Sequence, residues 1–106
     1  MPLYLWRATY TAEGTKGLLK DGGSKRREVV EQMVTKAGGK LHAFYFAMGK
    51  ADLYIIVELP DLATAVSLSL AVSASGSANI RTIVLVTPEE MDSATKKSVT
   101  YRAPGT

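Results

Sequence analysis

Apolar residues recur with two different periodicities along this chain. In four stretches the large side chains are arranged with period two, which is the spacing of a β-strand. This pattern predicts strands at Leu3–Tyr10, Lys40–Met48, Asp52–Glu58 and Asn79–Val86. Elsewhere apolar residues recur every three to four positions, as on one face of a helix. That repeat predicts one helix from Ser24 to about Ala37, and a second from Asp61 to Gly76.

Capping residues fix the expected helix ends. Ser24 and Asp61 carry side-chain oxygens that accept orphan N–H groups, so each is an expected N-cap. Gly38-Gly39 is expected to end the first helix because glycine tolerates the left-handed conformation there. Pro88 and the acidic pair after it predict a short third helix. The first helix has an apolar stripe formed by Val29, Val30, Met33 and Ala37.

Two connections are also expected from local residues. The segment Thr11–Gly23 is predicted to be a loop with one helical turn near Thr15–Leu19, and Gly49-Lys50-Ala51 is predicted to form a tight hairpin turn.

The predicted strands carry large apolar residues on both faces. Tyr54 and Ile56 oppose their neighbours Leu53, Ile55 and Val57, and Phe44, Phe46 and Met48 are predicted to oppose Leu41, Ala43 and Tyr45. Two helices cover only one face of a sheet, so the other face is expected to meet a second copy of the chain. The expected contact residues are Phe44, Phe46, Tyr54 and Ile56.

The order strand, helix, strand, strand, helix, strand predicts an α+β, ferredoxin-like fold. It consists of a four-stranded antiparallel sheet with two helices on one face, followed by a short C-terminal helix. We expect one domain over residues 1–97 and a C-terminal tail over residues 98–106.

Composition adds modest constraints. The chain has 106 residues, 46% hydrophobic and 22% charged, with no cysteine and a net charge of +3. The absence of cysteine excludes thiolate metal sites, and no signal peptide is recognised at the N-terminus; a cytoplasmic location is therefore expected. The uncharged stretch Leu62–Ile80 contains many serines and threonines, so no membrane span is expected.

Nearly the whole chain resembles the GYD family of small proteins. The matching stretches are GLLKDGGSKRRE at Gly17–Glu28, GGKLHAFYFAMG at Gly38–Gly49, LPD at Leu59–Asp61, LSLAVSASG at Leu68–Gly76 and TPEEMDSATKKSVTYRAPG at Thr87–Gly105. In the naming motif Gly49 and Asp52 are present, but Ala51 stands where the family pattern has tyrosine. The resemblance implies a dimeric α/β barrel type of subunit and no established activity.

A basic, glycine-rich segment is the first candidate site. Gly23, Ser24, Lys25 and Arg26 combine accessible backbone N–H groups at a helix start with adjacent positive charge, which favours an anion. The alternative is a capped turn followed by a solvated basic face.

His42, the only histidine, is the second candidate. With Tyr54 and Glu58 it would form a catalytic group in which the carboxylate orients the imidazole. The alternative is an edge histidine without chemistry. A lone histidine is a poor metal site, so neither a metal nor a cofactor is expected.

Aromatic residues are the third candidate. Trp6, Phe44 and Tyr54, together with His42, are expected to line a small-molecule pocket. The alternative is packing in the core or at an interface.

Three functions remain from the sequence. We favour a homo-oligomeric domain that binds or senses a small anionic or aromatic molecule, since no nucleophile–base pair stands out. The first alternative is a small dimeric α/β barrel enzyme of monooxygenase or isomerase type, by fold analogy. The second is nucleic-acid binding, through Lys16, Lys20, Lys25, Arg26 and Arg27.

Overall fold

A computed structural model describes all residues, 1–106. The chain forms eight elements in the order β1 (Leu3–Tyr10), α1 (Ala12–Asp21), α2 (Gly23–Lys36), β2 (Lys40–Phe46), β3 (Leu53–Glu58), α3 (Leu62–Ala74), β4 (Ala78–Leu85) and α4 (Pro88–Thr95). The four strands make one sheet in the order β2-β3-β1-β4, with antiparallel neighbours throughout. The predicted α+β, ferredoxin-like arrangement is confirmed.

One side of the sheet is covered by α2 and α3. Its buried residues alternate along the two central strands, as period two requires. Val34 of α2 and Ala65 of α3 pack into the same cluster, together with Tyr4, Trp6, Ala8, Leu53, Ile55, Val57 and Leu59. We call this side the covered face. Val34 is fully buried, although the stripe predicted for this helix did not include it.

The other side has no fully buried residue, and we call it the open face. Strand register places on it Leu3, Leu5, Arg7, Thr9, Lys40, Ala43, Tyr45, Tyr54, Ile56, Glu58, Asn79, Arg81, Ile83 and Leu85. The opposed faces predicted for Tyr54 and Ile56 against Ile55 are confirmed. Ile56, Leu5 and Ile83 are aligned across three strands, which makes an apolar row in the middle of the open face.

The prediction that Phe44 and Phe46 lie on the uncovered face and contact a second copy is wrong. The pairing of β2 with β3 shifts between Leu41 and Ala43, so one extra residue interrupts the alternation. Phe44 therefore pairs with Ile55 and lies on the covered face, and Phe46 lies there also. The bulge reverses the facing of every later residue of β2, and a strict period-two pattern cannot reveal it.

The segment between β1 and α2 is a helix rather than the predicted loop. The Thr11 side chain caps α1 by accepting from the Gly14 N–H, and its hydroxyl also donates to the Gly76 carbonyl oxygen. Gly14 packs so closely on the Ser77 carbonyl that a Cβ would not fit. These contacts hold α1 against the start of β4.

Ser24 is not the N-cap of α2. Gly22, at φ +83°, both ends α1 and precedes α2, and no side chain caps the second helix. At the other end of α2 the prediction holds: Gly38 has φ +85°, and the N–H of Gly39 donates to the Val34 carbonyl oxygen. The expected N-cap of α3 is also present, at Asp61, and α4 begins at the predicted Pro88 with Thr87 as an N-cap that was not predicted.

Three further features complete the fold. The hairpin between β2 and β3 is the loop Ala47–Asp52, which is longer than the predicted tight turn. On α3 the residues Leu62, Val66 and Leu70 remain exposed, and every residue from Pro88 to Thr106 is exposed. No helix is long and apolar enough to cross a membrane.

Candidate ligand cavity between the sheet and α2

A cavity of about 90 Å³ lies on the covered face, between the sheet, α2 and the end of α3. Its walls are almost entirely apolar, from the residues Trp6, Ala8, Tyr10, Arg26, Val29, Val30, Met33, Leu53, Ile55, Val72, Ser77, Ala78 and Ile80. An apolar cavity with a few polar groups is the usual form of a small-molecule site.

Trp6 forms the buried part of the cavity wall. The residue is fully buried, and its indole N–H has no hydrogen-bond partner. A buried donor without a partner is uncommon, since leaving it unpaired costs roughly 1–3 kcal/mol. Trp6 thus combines a place in the lining of this apolar cavity with an indole N–H that has no partner in the chain.

Tyr10 and Arg26 form the polar end of the cavity. Both are half-buried, and Arg26 extends from the first turn of α2 toward the phenol. Burial raises the pKa of Tyr10, and the adjacent Arg26 guanidinium opposes only part of that rise. The phenol is therefore neutral and the guanidinium charged near pH 7, so this end offers a hydrogen bond and a positive charge.

A second depression, of about 100 Å³, continues from this polar end beneath α1. It shares Tyr10, Arg26 and Ser77 with the cavity, and Glu13, Gly14 and Asp21 lie on its other side. The shared residues stand between the two spaces. A ligand larger than the cavity would extend past them toward α1.

The structure divides the predicted ligand residues between the two faces of the sheet. Trp6 lines the cavity, and Phe44 lies on the covered face, in edge-to-face contact with Phe46 at a ring separation of 5.4 Å. Tyr54 lies on the open face, and His42 bonds to Glu58 there. The four residues do not meet in one pocket, although His42 and Phe44 line one depression at the edge of the sheet, together with Arg27 and Glu31. Met33 and Val72 of the cavity were assigned to packing, because no local pattern distinguishes a cavity wall from a core stripe.

His42 and Glu58 form the only close contact between a basic and an acidic side chain in the structure. His42 Nε2 and Glu58 Oε1 are 2.9 Å apart, and both side chains are partly accessible to solvent. The hydrogen bond from His42 is the main reason that the pKa of Glu58 is lowered. Tyr54 lies four residues from Glu58 along β3, which is about 13 Å at 3.3 Å per residue. It does not complete a catalytic group with this pair.

The predicted anion-binding residues also separate. Gly23 and Ser24 line a shallow groove with Phe44 and Phe46, and Arg27 completes that groove. Arg26 lines the cavity instead. The basic segment therefore contributes to both the cavity and the shallow groove, and it does not form one anion site.

The family can now be stated. A model of the GYD domain family matches residues 4–95, so the chain belongs to this family. Comparison with curated proteins and with solved structures finds no significant match. The match includes all the elements that build the cavity, but it assigns no ligand to them.

Proposed function

We propose that this GYD domain is a homodimeric binding protein for a small molecule that joins a single ring to an acidic group. The observation that carries this proposal is that Trp6, which lines an apolar cavity, has an indole N–H without a hydrogen-bond partner. A ligand atom that accepts this hydrogen bond removes the cost of the unpaired donor, and that gain adds to binding.

The dimensions of the cavity limit the ligand. An engineered apolar cavity of roughly 150 Å³ binds benzene, whereas this cavity measures about 90 Å³. One ring, part of which lies at the polar end, is therefore the largest group we expect it to accept. Apolar walls favour such a ring through the area that it removes from water.

The polar end favours an acid over a base. Arg26 supplies a permanent positive charge with several donors, and the neutral Tyr10 phenol supplies one more. Charge-assisted hydrogen bonds from a guanidinium to a carboxylate are stronger than neutral ones. An amine at the same position would meet the guanidinium and be repelled.

The open face supports the dimer. The row of Ile56, Leu5 and Ile83 leaves apolar surface uncovered, and Tyr45 beside it is 71% exposed. Two such faces packed together would bury these residues as in a sheet-on-sheet contact. Dimerisation thus covers one face of the sheet and leaves the cavity, on the other face, free for a ligand.

Calorimetric titration with benzoate tests the ligand class. Benzoate is expected to bind saturably, while benzylamine, with a ring of the same size and the opposite charge, is not. Arg26→Gln should weaken benzoate binding by about 10- to 100-fold, the equivalent of a hydrogen bond to a charged group. Arg27→Gln, which removes the same charge one residue away, is the matched control and should change little. Equal binding of both probes, or none of either, would contradict the proposal.

The enzyme alternative rests on the His42–Glu58 pair. The carboxylate orients the imidazole at 2.9 Å, as a general base requires. The pair lies at the sheet edge, however, away from the cavity on the covered face. For the nucleic-acid alternative, Arg26 is occupied beside Tyr10, which leaves Lys16, Lys20, Lys25 and Arg27 for that role.

A further inference from the structure

A basic depression lies on the open face, beside the hairpin loop. Its volume is about 460 Å³, and it is lined by Arg7, Thr9, Lys50, Ala51, Asn79 and Arg81. Three of these residues are cations and none is an acid. The depression is separated from the ligand cavity by the full thickness of the sheet, because Arg7 and Trp6 are consecutive residues that point to opposite faces.

Two arginines face each other at this site. Arg7 of β1 and Arg81 of β4 are direct partners in the strand register. Like charges directly opposite on neighbouring strands are destabilising. The Nε of Arg7 is also buried without a hydrogen-bond partner. A bound negative group would offset the repulsion between the two guanidinium groups and could accept a hydrogen bond from Arg7.

The chain itself does not supply that group. The only close contact between a basic and an acidic side chain in the structure is that of His42 with Glu58, so no carboxylate lies within 4.0 Å of Arg7, Lys50 or Arg81. Asp52, close to Lys50 in the hairpin loop, accepts a hydrogen bond from the Tyr10 backbone N–H at 2.8 Å. Asp52 is thus held by the backbone of β1, and Glu58, which pairs with Leu3, lies about 13 Å along the sheet from the level of Arg7.

A second copy packed by its open face does not supply the group either. Among the strand residues of the open face Glu58 is the only acid, and each copy uses it for its own His42. A free anion is thus the occupant that fits.

We propose that the Arg7–Arg81 depression binds an oxyanion, the phosphate or carboxylate group of a small solute. Guanidinium groups match the geometry of such oxygens by donating two parallel hydrogen bonds. Lys50 adds a positive charge, and the Thr9 hydroxyl and the Asn79 amide provide further donors. The small side chain of Ala51 leaves the space open, at the position where the family pattern has tyrosine.

Thermal unfolding in inorganic phosphate tests this site, with chloride at matched ionic strength as the reference for screening. Phosphate is expected to raise the Tm of the wild-type protein saturably, because it binds only the folded state. Arg81→Gln should lose at least about tenfold in phosphate affinity. The same variant should have a higher Tm than the wild type without phosphate, because the Arg7–Arg81 repulsion is gone.

Arg102→Gln is the matched control, since it removes the same charge from the exposed tail. It should respond to phosphate as the wild type does. A second variant, Ala51→Tyr, is expected to fill the depression and abolish the response while every cation remains. An equal Tm rise in chloride, or an Arg81→Gln protein that still responds fully, would overturn the site.

Benzoate binding in the cavity separates this proposal from the preceding one. Arg81→Gln should bind benzoate with unchanged affinity, because residue 81 lies on the opposite face. Loss of phosphate binding with benzoate binding retained supports two independent sites. Loss of both together contradicts the assignment of the anion to the open face.

Discussion

Ile55 and Ile56 are consecutive residues of β3 with very different surroundings. Ile55 points to the covered face and is 2% exposed, whereas Ile56 points to the open face and is half-buried. Their chemistry is identical, so the difference comes only from what lies opposite. The helices α2 and α3 close one face and enclose a cavity. The other face keeps an apolar row and a basic depression uncovered, and the proposed dimer contact and oxyanion site both rest on it.

The largest expected effect is a difference in stability between alanine variants of these two isoleucines. Ile55→Ala should lower the free energy of unfolding by about 2–5 kcal/mol, because it leaves a space in a packed core. Ile56→Ala should cost well under half of that in dilute protein, where its surroundings are partly water. Urea denaturation of both variants measures the difference. Equal losses would mean that the two faces are equally packed.

A second close approach, besides that of Gly14, is at Gly39, where α2 turns into β2. A Cβ there would lie 2.7 Å from Leu59 Cδ2 and closer still to the Glu58 carbonyl oxygen. Gly39→Ala should therefore cost about 1–3 kcal/mol, as overpacking does. Gly49→Ala is the control, since a Cβ at position 49 meets nothing within 4 Å. Similar Tm values for the two variants would show that the turn at Gly39 has room for a Cβ.

On the open face, the effect of a charge is expected in assembly rather than in folding. Ile56→Glu places a carboxylate in the middle of the apolar row and should weaken the proposed dimer at least tenfold, about 1.4 kcal/mol. Sedimentation velocity over a range of concentrations gives the dissociation constant. Leu19→Glu, on the exposed side of α1, is the control. A wild-type protein that stays monomeric at high concentration would refute the dimer.

The smallest expected effect concerns the N-terminus of α3 and depends on pH. Hydrogen bonds from the Thr64 backbone and hydroxyl lower the pKa of Asp61. A lowered carboxyl pKa stabilises the folded state above the ordinary value of about 3.9, and that contribution disappears as the pH falls through the folded-state value.

The Asp61→Asn variant keeps an acceptor at the cap but does not titrate there. The stability difference between wild type and variant should therefore shrink as the pH falls from 5 toward 2. Denaturation curves at matched ionic strength measure it. A difference that stays constant with pH would mean that the charge of Asp61 has no part in the cap.

The sequence predicted correctly those helix ends that depend on a few neighbouring residues. Asp61 and Gly38 marked helix ends because a cap depends on a few neighbouring residues. The segment Ala12–Asp21 was expected to be mostly loop, because its two glycines are poor helix formers. It is a helix because Gly14 fits against Ser77, a contact between residues far apart in sequence.

The sites depend on such distant contacts even more strongly. The bulge between Leu41 and Ala43 places Phe44 and Phe46 on the covered face. No sequence pattern within β2 predicts this bulge. Trp6 was a candidate from its residue type alone, but the cavity beside it needs the sheet, α2 and α3 together. The pairing of Arg7 with Arg81 likewise follows from strand register. Glu58, the acid at the other end of the same face, bonds to His42 and not to either arginine.

The state of the Trp6 indole N–H tests the central claim most directly. Trp6 is the only tryptophan, so a ¹H–¹⁵N spectrum contains a single indole signal, and no assignment is needed. On titration with benzoate this signal should move saturably to lower field, as a hydrogen bond forms to a donor that has none. The Arg26→Gln protein should need about 10- to 100-fold more benzoate for the same shift. An indole signal that does not move while benzoate binds elsewhere, or no saturable change at all, would contradict the assignment of the cavity as the ligand site.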